Sequence, residues 1–400
     1  MSVDSQKAAS APKGYLFSVV EAAIKKPGRK DLALICSERE AVMAGMFTTN
    51  SVKAAPVRLD MKLIKSGKGR AIVVNSGNAN ACTGDQGMKD AVETAAIAAK
   101  YLGVPVNSVY VCSTGVIGAP MPMERIRPKL VELASTAGSA DINNVAAAII
   151  TTDTFPKIVA KRKKIGGNTI TITGICKGAG MIQPNMATML SFIVTDAKVS
   201  PAALRAALKE TVRTSFNRVT IDGDMSTNDT VLIMANGAAG NETIKSGTGD
   251  FVAFVKALSE VTYELAVMIA KDGEGMTKLL IVEVKNAKSE KEAEKAAFAI
   301  ANSLLVKTAV YGNDANWGRI LAAIGYSGIT IKEEKVDVYL NGLRVAKNGM
   351  AAGVDAEAND RLKAKEVVIT ADLHLGKGAA KVLSCDLTED YIKINAEYRT

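Results

Sequence analysis

The sequence predicts an α/β protein with two domains. Its 400 residues exceed what one typical hydrophobic core organises and are enough for two cores. Apolar, β-branched runs that are typical of buried strands are each followed by a loop rich in Gly, Asn, Ser or Thr. These runs are residues 32–36, 71–74, 109–112, 169–175, 189–194 and 231–234. Stretches with helical spacing lie between and after them, at residues 88–102, 123–135, 201–216 and 251–269.

Local signals refine these elements and divide the chain near residue 283. Ser200 followed by Pro201 is a helix start, with an N-cap and then proline at the first helical position. Ser289 and Glu292 form a capping box for a helix that is expected to run to about Val306. Further on, the pair Asn341-Gly342 between two strand-like runs indicates a hairpin. We therefore predict a layered α/β domain at residues 1–282 and a smaller α/β domain at residues 283–400.

The composition is that of an ordinary globular protein, with 48% hydrophobic and 23% charged residues. The first residues lack the apolar stretch of a secretory signal, and no apolar run is long enough to span a bilayer. These features predict a soluble cytoplasmic protein. The five cysteines are scattered and never form a CxxC pair, so buried reduced thiols are expected rather than disulfides or a zinc site.

The net charge of +9 is compatible with nucleic-acid binding or with a basic site for anionic substrates. Only the run 161–164 is dense in charge, and it lies between a strand-like run and Gly166-Gly167. This position indicates a solvated hairpin tip more than a phosphate-binding patch.

The chain has a single histidine, His374, at the end of an alternating, strand-like stretch. A multi-histidine metal site is therefore impossible, and a Ser-His-Asp or Cys-His mechanism would have to use this one residue. We expect a structural role for His374 and no metal ion. If the protein is an enzyme, its general base is expected to be a group other than imidazole.

The segment KGAGMIQPNMATML at residues 177–190 has two interpretations. It is either a glycine-rich turn that leads into a strand or a cleavage site that releases a reactive threonine. A threonine hydroxyl needs an adjacent base, and a free α-amino group with a pKa of about 8 can serve. Thr188 gains that amine only if the bond after Ala187 is cut. Thr188 can cut this bond itself by attacking the Ala187 carbonyl, helped by a strained loop.

This segment resembles the self-cleaving ornithine acetyltransferases, the glutamate N-acetyltransferases of arginine biosynthesis. Other parts of the chain resemble the same family in the same order. They are residues 74–84, 113–118, 151–154, 222–229, 271–275, 312–319 and 395–400. The resemblance covers nearly the whole chain. It implies an αββα-like sandwich core with a second, smaller C-terminal α/β domain.

The resemblance also implies roles for individual residues. Thr188 is the expected nucleophile, cleaved from Ala187, and Thr114 and Gly115 are the expected oxyanion hole. Lys177 is expected to hold a substrate carboxylate or to tune the amine's pKa. The other expected substrate contacts are Thr151 or Thr152, Glu274 opposite the substrate ammonium, and Asn395 and Thr400. Three alternatives are structural: Gly115 as a turn residue, Glu274 paired with Lys271, and Asn316 and Arg319 capping a helix. Asp222–Asp229 remains open between a metal loop and an ordinary turn, and it is not included in the expected site.

The implied reaction transfers acetyl from N2-acetylornithine to glutamate through an ester on Thr188, with acetyl-CoA as a possible second donor. No metal or tightly bound cofactor is implied. The implied assembly is a heterotetramer of two α chains, 1–187, and two β chains, 188–400. Two other functions stay open. One is a related self-processing aminopeptidase or amidase with water as acceptor, and the other is a basic, non-catalytic nucleic-acid-binding protein.

Overall fold

The structure, a computed structural model, describes residues 10–183 and 189–396. Its contacts divide the chain into two compact units. The first consists of Met1–Gly178, Asn185–Asn217 and Met225–Leu265, and the second of Ala179–Pro184, Arg218–Asp224 and Ala266–Thr400. The second unit thus includes two short segments from earlier in the chain. The domain limits 1–282 and 283–400 stay a prediction from the sequence.

The first unit contains an eight-stranded sheet in the order β4-β3-β2-β8-β7-β6-β5, with β1 paired to β2. Its strands are β1 (Tyr15–Val20), β2 (Leu32–Phe47), β3 (Lys68–Asn78), β4 (Val109–Val116), β5 (Lys157–Ile165), β6 (Asn168–Lys177), β7 (Leu190–Thr195) and β8 (Thr230–Ala235). The helices that belong to this part of the chain are α1 (Ala55–Leu63), α2 (Gly84–Leu102), α3 (Met123–Ser135), α4 (Ile142–Ala148), α5 (Pro201–Thr214) and α6 (Gly249–Ala270). The strands and helices predicted for this region are confirmed. Their ends shift by at most four residues, except that the strand predicted at residues 32–36 continues to Phe47 as β2.

The long strand β2 joins two halves of this sheet. It pairs with β3 from Leu32 to Val42 and with β8 from Val42 to Phe47. One half of the sheet, with β3 and β4, therefore adjoins the first part of β2, and the other half, from β8 to β5, adjoins its last part. Side chains from both halves, such as Val74 on β3 and Phe192 on β7, share one buried cluster. The two halves therefore face each other across a common core.

Helices cover the outer faces of both halves. Val73, the neighbour of Val74 in sequence, points to the opposite face and packs with Leu130 of α3. On the other half, the Cys176 sulfur of β6 lies 3.9 Å from the Leu265 carbonyl oxygen of α6. The layers are thus helix, sheet, sheet and helix, and the predicted αββα-like α/β class is confirmed.

The basic run at residues 161–164 lies on the last part of β5, directly before the turn at Gly166 and Gly167. Lys161 pairs with Glu264 at 2.6 Å and Lys163 pairs with Glu260 at 3.1 Å. Both glutamates belong to α6, so two of the four cations already have anionic partners in the same unit. This arrangement favours the interpretation as a solvated hairpin.

The second unit is built on a six-stranded sheet in the order β12-β11-β10-β13-β9-β14. Its strands are β9 (Leu279–Ala287), β10 (Asp337–Leu340), β11 (Leu343–Lys347), β12 (Met350–Ala351), β13 (Glu366–Asp372) and β14 (Gly378–Cys385). Its helices are α7 (Glu290–Asn302), α8 (Leu304–Tyr311), α9 (Trp317–Gly325), α10 (Asp355–Arg361) and α11 (Glu389–Ala396). The hairpin predicted at Asn341-Gly342 is confirmed between β10 and β11, and both turn residues have positive φ.

One sequence expectation in this unit is corrected, and the position of His374 bears on another. Ser289 caps α7 as expected, but the helix ends at Asn302 rather than near Val306, because Ser303 starts α8 by accepting the Val306 N–H. His374 lies beyond the end of β13 with a φ of 48°, and its half-exposed ring is 3.5 Å from both Asp337 and Asp372. These contacts are compatible with the structural role expected for His374.

Four of the five cysteines are buried thiols as predicted, whereas Cys82 is exposed.

None of the helices within residues 10–183 and 189–396 combines the length and apolar character needed to cross a bilayer.

Candidate active site

Thr114 and Gly115 lie at the carboxyl end of β4, next to the end of β3. The two strands are parallel and place Ser76 opposite Thr114 and Gly77 opposite Gly115. The carboxyl ends of adjacent parallel strands in α/β sheets are common positions for ligand sites. Thr114 is buried here, with 6% of its surface exposed.

Gly115 is required by the close approach of β3. Its φ is +136°, and a Cβ at this position would lie 2.3 Å from the Gly77 carbonyl carbon. No side chain fits at that distance, and L-residues rarely adopt this φ. Close backbone packing between β3 and β4, rather than a turn, therefore requires glycine at position 115, and this is compatible with a backbone N–H that serves as a donor.

Side-chain amides hold this strand end in place. The Asn228 amide nitrogen donates to the carbonyl oxygens of Ser113, at 2.8 Å, and Ala79, at 2.6 Å. The Ser113 hydroxyl donates to Asn75 Oδ1 at 2.6 Å. These bonds connect β4 to the asparagine-rich stretch 75–80. Satisfied buried polar networks of this kind fix the geometry of the groups they hold.

Lys177 is the last residue of β6, and its ammonium reaches Thr114. Lys177 Nζ donates to Thr114 Oγ1 at 3.1 Å, and both side chains are buried. An ammonium can only donate, so the Thr114 hydroxyl accepts this bond and its own proton stays available for another acceptor. Lys177 is also the cross-strand partner of Leu190 on β7.

The sequence interpretation did not include Asp153 among the site residues, yet it joins several of them. Its carboxylate accepts from the Thr151 N–H at 3.1 Å, the Gly178 N–H at 2.7 Å and Lys157 Nζ at 2.6 Å. Burial by itself would raise the pKa of Asp153, but the charges of Lys177 and Lys157 outweigh burial and lower the pKa. Asp153 is therefore an anion that anchors the chain around Lys177. The sequence could have pointed to Asp153, because it lies within residues 151–154, one of the stretches that resemble the ornithine acetyltransferases.

In the second unit, Glu274 and Asn395 are hydrogen-bonded to each other. Asn395 Nδ2 donates to Glu274 Oε2 at 2.8 Å, and the Glu274 N–H donates to the Ala179 carbonyl at 2.9 Å. A Cβ on Gly180 would lie 2.3 Å from Glu274 Oε2, so a larger residue at this position would require the carboxylate to move. Lys271, the alternative partner of Glu274, lies instead 3.9 Å from Glu366. Glu274 is buried, with 8% of its surface exposed.

The expected site residues thus fall into two groups. Thr114, Gly115, Thr151, Thr152 and Lys177 belong to the first unit, while Glu274 and Asn395 belong to the second. Thr151 and Thr152 are half-buried, and Thr151 is the one whose N–H binds Asp153. The expected residues Ala187, Thr188 and Thr400 lie outside the described residues.

Two further expectations concern capping and metals. Asn316 caps α9 by accepting the Arg319 N–H, which fits the structural interpretation of this pair. In residues 10–183 and 189–396, no group of three or more His, Cys, Asp or Glu side chains has an arrangement that could hold a metal ion.

Comparison with known proteins identifies the family. The sequence profile of the ArgJ family matches residues 16–400. The chain belongs to the ArgJ family. A relative in Geobacter sulfurreducens, named arginine biosynthesis bifunctional protein ArgJ, is 56% identical over 390 residues, which are 97% of this chain and 99% of the relative. A relative of the same name in Caldanaerobacter subterraneus is 53% identical over 97% of this chain and 98% of its own.

A crystal structure of the ArgJ protein of Bacillus halodurans is similar at 47% identity and a TM-score of 0.51. The match covers 99% of that chain and 52% of this one. The family predicted from the sequence motifs is therefore confirmed, together with the prediction of an enzyme of arginine biosynthesis.

Proposed function

We propose that this ArgJ-family protein is a glutamate N-acetyltransferase that carries acetyl from N2-acetylornithine to glutamate on Thr188. The observation that supports it most directly is the position of Lys177. Its ammonium binds the Thr114 hydroxyl, and its backbone pairs with Leu190, two residues after Thr188. Lys177 therefore contacts both Thr114, the proposed oxyanion donor, and β7, the strand that begins just after Thr188.

The proposed reaction has two half-steps. Thr188 Oγ attacks the acetyl carbonyl carbon while the Thr188 α-amine takes the hydroxyl proton. The Thr114 hydroxyl and the Gly115 N–H stabilise the oxyanion. The C–N bond then breaks, the leaving amine of ornithine receives the proton, and an acetyl ester remains on Thr188. The amine of glutamate then attacks the carbonyl carbon of that ester, the ester C–O bond breaks, and the proton lost by the amine returns to Thr188 Oγ, which leaves N-acetylglutamate and a free hydroxyl.

Self-cleavage before Thr188 supplies the α-amine that this chemistry needs. Thr188 Oγ attacks the Ala187 carbonyl carbon, the peptide C–N bond breaks, and water hydrolyses the resulting ester. The length of the solved Bacillus halodurans chain supports this step. Nearly all of that chain is matched, yet it covers only 52% of this one, whereas the curated relatives span the full length. A half-length polypeptide is what a cut at Ala187-Thr188 would give.

Substrate recognition is proposed to follow charge. N2-acetylornithine carries one carboxylate and one ammonium, so one cation and one carboxylate are the expected complements. We assign the carboxylate to Lys177, which alternatively tunes the pKa of the α-amine, and the ammonium to Glu274. Asn395 orients Glu274 through their 2.8 Å hydrogen bond. Thr151 or Thr152 and Thr400 complete the proposed contacts.

The donor specificity is tested with purified protein and glutamate. We expect N-acetylglutamate to form with N2-acetylornithine and also with acetyl-CoA, because either donor can load the same Thr188 ester. The basic net charge of +9 favours an anionic donor electrostatically. Mass spectrometry of the product measures both reactions, and ping-pong kinetics are expected with each donor.

Three results would change this proposal. No product with acetyl-CoA alone would limit the enzyme to N2-acetylornithine. Release of acetate from N2-acetylornithine at the same rate with and without glutamate would identify an amidase, in which water rather than glutamate takes the acetyl group. An intact, inactive chain that is retained on nucleic acid in a salt-sensitive manner would indicate the non-catalytic alternative.

We further propose that the two halves stay together after cleavage and assemble as two α and two β chains. Within the first unit, β7 and β8 follow residue 188 but pair with β6 and β2, which precede it. Separating the halves would break these ladders and open the shared core. Size-exclusion chromatography with light scattering should give about twice the mass of one 400-residue chain. Two fragments that elute separately without denaturant would refute this assembly.

A further inference from the structure

The segment Asp222–Asp229 carries two carboxylates that bind backbone on opposite sides of the proposed cleavage site. Asp222 belongs to the second unit and Asp229 to the first, and each of the contacts lies within its own unit. The sequence left this segment open between a metal loop and an ordinary turn. The contacts of the described residues indicate a different role.

Asp222 binds the chain that approaches the cleavage site. Its Oδ2 accepts from the Met181 N–H at 2.5 Å, and its Oδ1 accepts from the Ile182 N–H at 2.9 Å. The Ile182 carbonyl oxygen in turn accepts from the Ile221 N–H at 2.9 Å. Met181 has a φ of +58°, which is uncommon for a residue with a side chain. The two bonds to Asp222 hold the backbone on both sides of this conformation.

Asp229 binds the chain that leaves the cleavage site. Its Oδ1 accepts from the Met189 N–H at 2.9 Å, and the Met189 carbonyl accepts from the Thr230 N–H at 3.0 Å. Asp229 is only 1% exposed. The Met189 nitrogen is covalently bonded to the carbonyl carbon of Thr188, so fixing this N–H restricts the residue that supplies the nucleophile.

Resting on the proposed function, we propose that Asp222 and Asp229 are positioning residues for self-cleavage, which hold the backbone before and after the Ala187-Thr188 bond. A peptide bond is attacked by a neighbouring hydroxyl only when the two are held in a reactive geometry, and small displacements cost large factors in rate. Asp222 restrains the backbone before the bond within the second unit, and Asp229 restrains the backbone after it within the first unit. The carboxylates thus act through the backbone and need not touch the reacting atoms.

The two carboxylates differ in how many acceptors they use, and this difference gives a sharp test. Asp229 uses one oxygen for its bond to Met189, so an amide can replace it. Burial raises the pKa of Asp229 well above its usual range, although the Met189 N–H and the Lys177 ammonium oppose this shift. Asparagine has nearly the same shape as aspartate and keeps one acceptor oxygen. Asp222 uses both oxygens, and Asn offers only one acceptor.

The experiment follows cleavage of the full chain made by cell-free translation, by gel and intact mass over time. We expect Asp229→Ala, Asp222→Ala and Asp222→Asn to slow cleavage by about 10- to 100-fold, the effect of losing one hydrogen bond to a charged group. Asp229→Asn should cleave at nearly the wild-type rate. Asp224→Ala is the matched control, because it removes an exposed carboxylate from the same segment and leaves the Asp224 N–H to Asp222 in place. Circular dichroism confirms that each variant is folded.

The outcomes separate this inference from the proposed function. A wild-type chain that never cleaves would remove the proposed function and this inference with it. Wild-type cleavage accompanied by equally fast cleavage of the Asp222→Ala and Asp229→Ala variants would remove only this inference. A folded Asp229→Asn protein that cleaves as slowly as Asp229→Ala would also contradict the inference. If Asp229→Ala is insoluble, the two Asn variants still test the inference. Asp229→Asn is expected to cleave at nearly the wild-type rate, and Asp222→Asn is expected to cleave slowly.

Discussion

Thr188→Ala is expected to remain a single chain of 400 residues, while the wild-type protein separates into fragments of 187 and 213 residues. The substitution removes the hydroxyl that attacks the Ala187 carbonyl, and it also removes the acceptor of the acetyl group. Acetyl transfer from N2-acetylornithine should therefore fall by about 10⁴-fold or more, as for the loss of other covalent nucleophiles. Intact-mass measurement and terminal sequencing check the cleavage, and the second fragment should begin with threonine.

Thr188→Ser is the matched control for this prediction. It keeps a hydroxyl on the same atom and differs by one methyl group, so we expect cleavage and measurable transfer to be retained. A wild-type enzyme that is fully active while it remains uncleaved would contradict the role of the α-amine. A Thr188→Ala protein that still cleaves at the same bond would contradict the role of the hydroxyl.

Thr114→Val should lower acetyl transfer by about 10²–10³-fold, the usual effect of removing one oxyanion donor. Valine keeps the shape of the side chain but cannot donate a proton. The native hydroxyl accepts from Lys177 Nζ at 3.1 Å, so its proton is directed away from the ammonium and toward another acceptor. Turnover is measured per cleaved chain. Self-cleavage should slow as well if the same donor serves both reactions.

Thr114→Ser tests whether the hydroxyl itself is responsible. Serine restores the donor and the bond to Lys177, and we expect most of the activity to return. A Thr114→Val enzyme with near-normal turnover would remove Thr114 from the site. An equal loss in the Ser and Val variants would indicate that the methyl group and its packing matter more than the proton.

The sequence by itself determined the family, the α/β class and most of the elements. The buried strands are apolar runs, and the hairpin at Asn341-Gly342 follows from residues that accept positive φ. The single histidine indicated a base other than imidazole, and the resemblance of the motif at 177–190 to the self-cleaving acetyltransferases implied a threonine nucleophile with its own amine as base. These are local properties, fixed by residue type and spacing, and they can be recognised without contacts.

Only the tertiary structure decided which distant groups meet within a unit. The sequence did not indicate that β2 serves both halves of the sheet, because a long apolar strand does not specify its partners. Nor did it separate Asp153, Asp222 and Asp229 from ordinary turn carboxylates. Their roles depend on burial and on the backbone N–H groups that they accept, such as those of Gly178, Ile182 and Met189. Burial and backbone direction arise from packing between segments far apart in sequence, so residue type and spacing do not encode them locally.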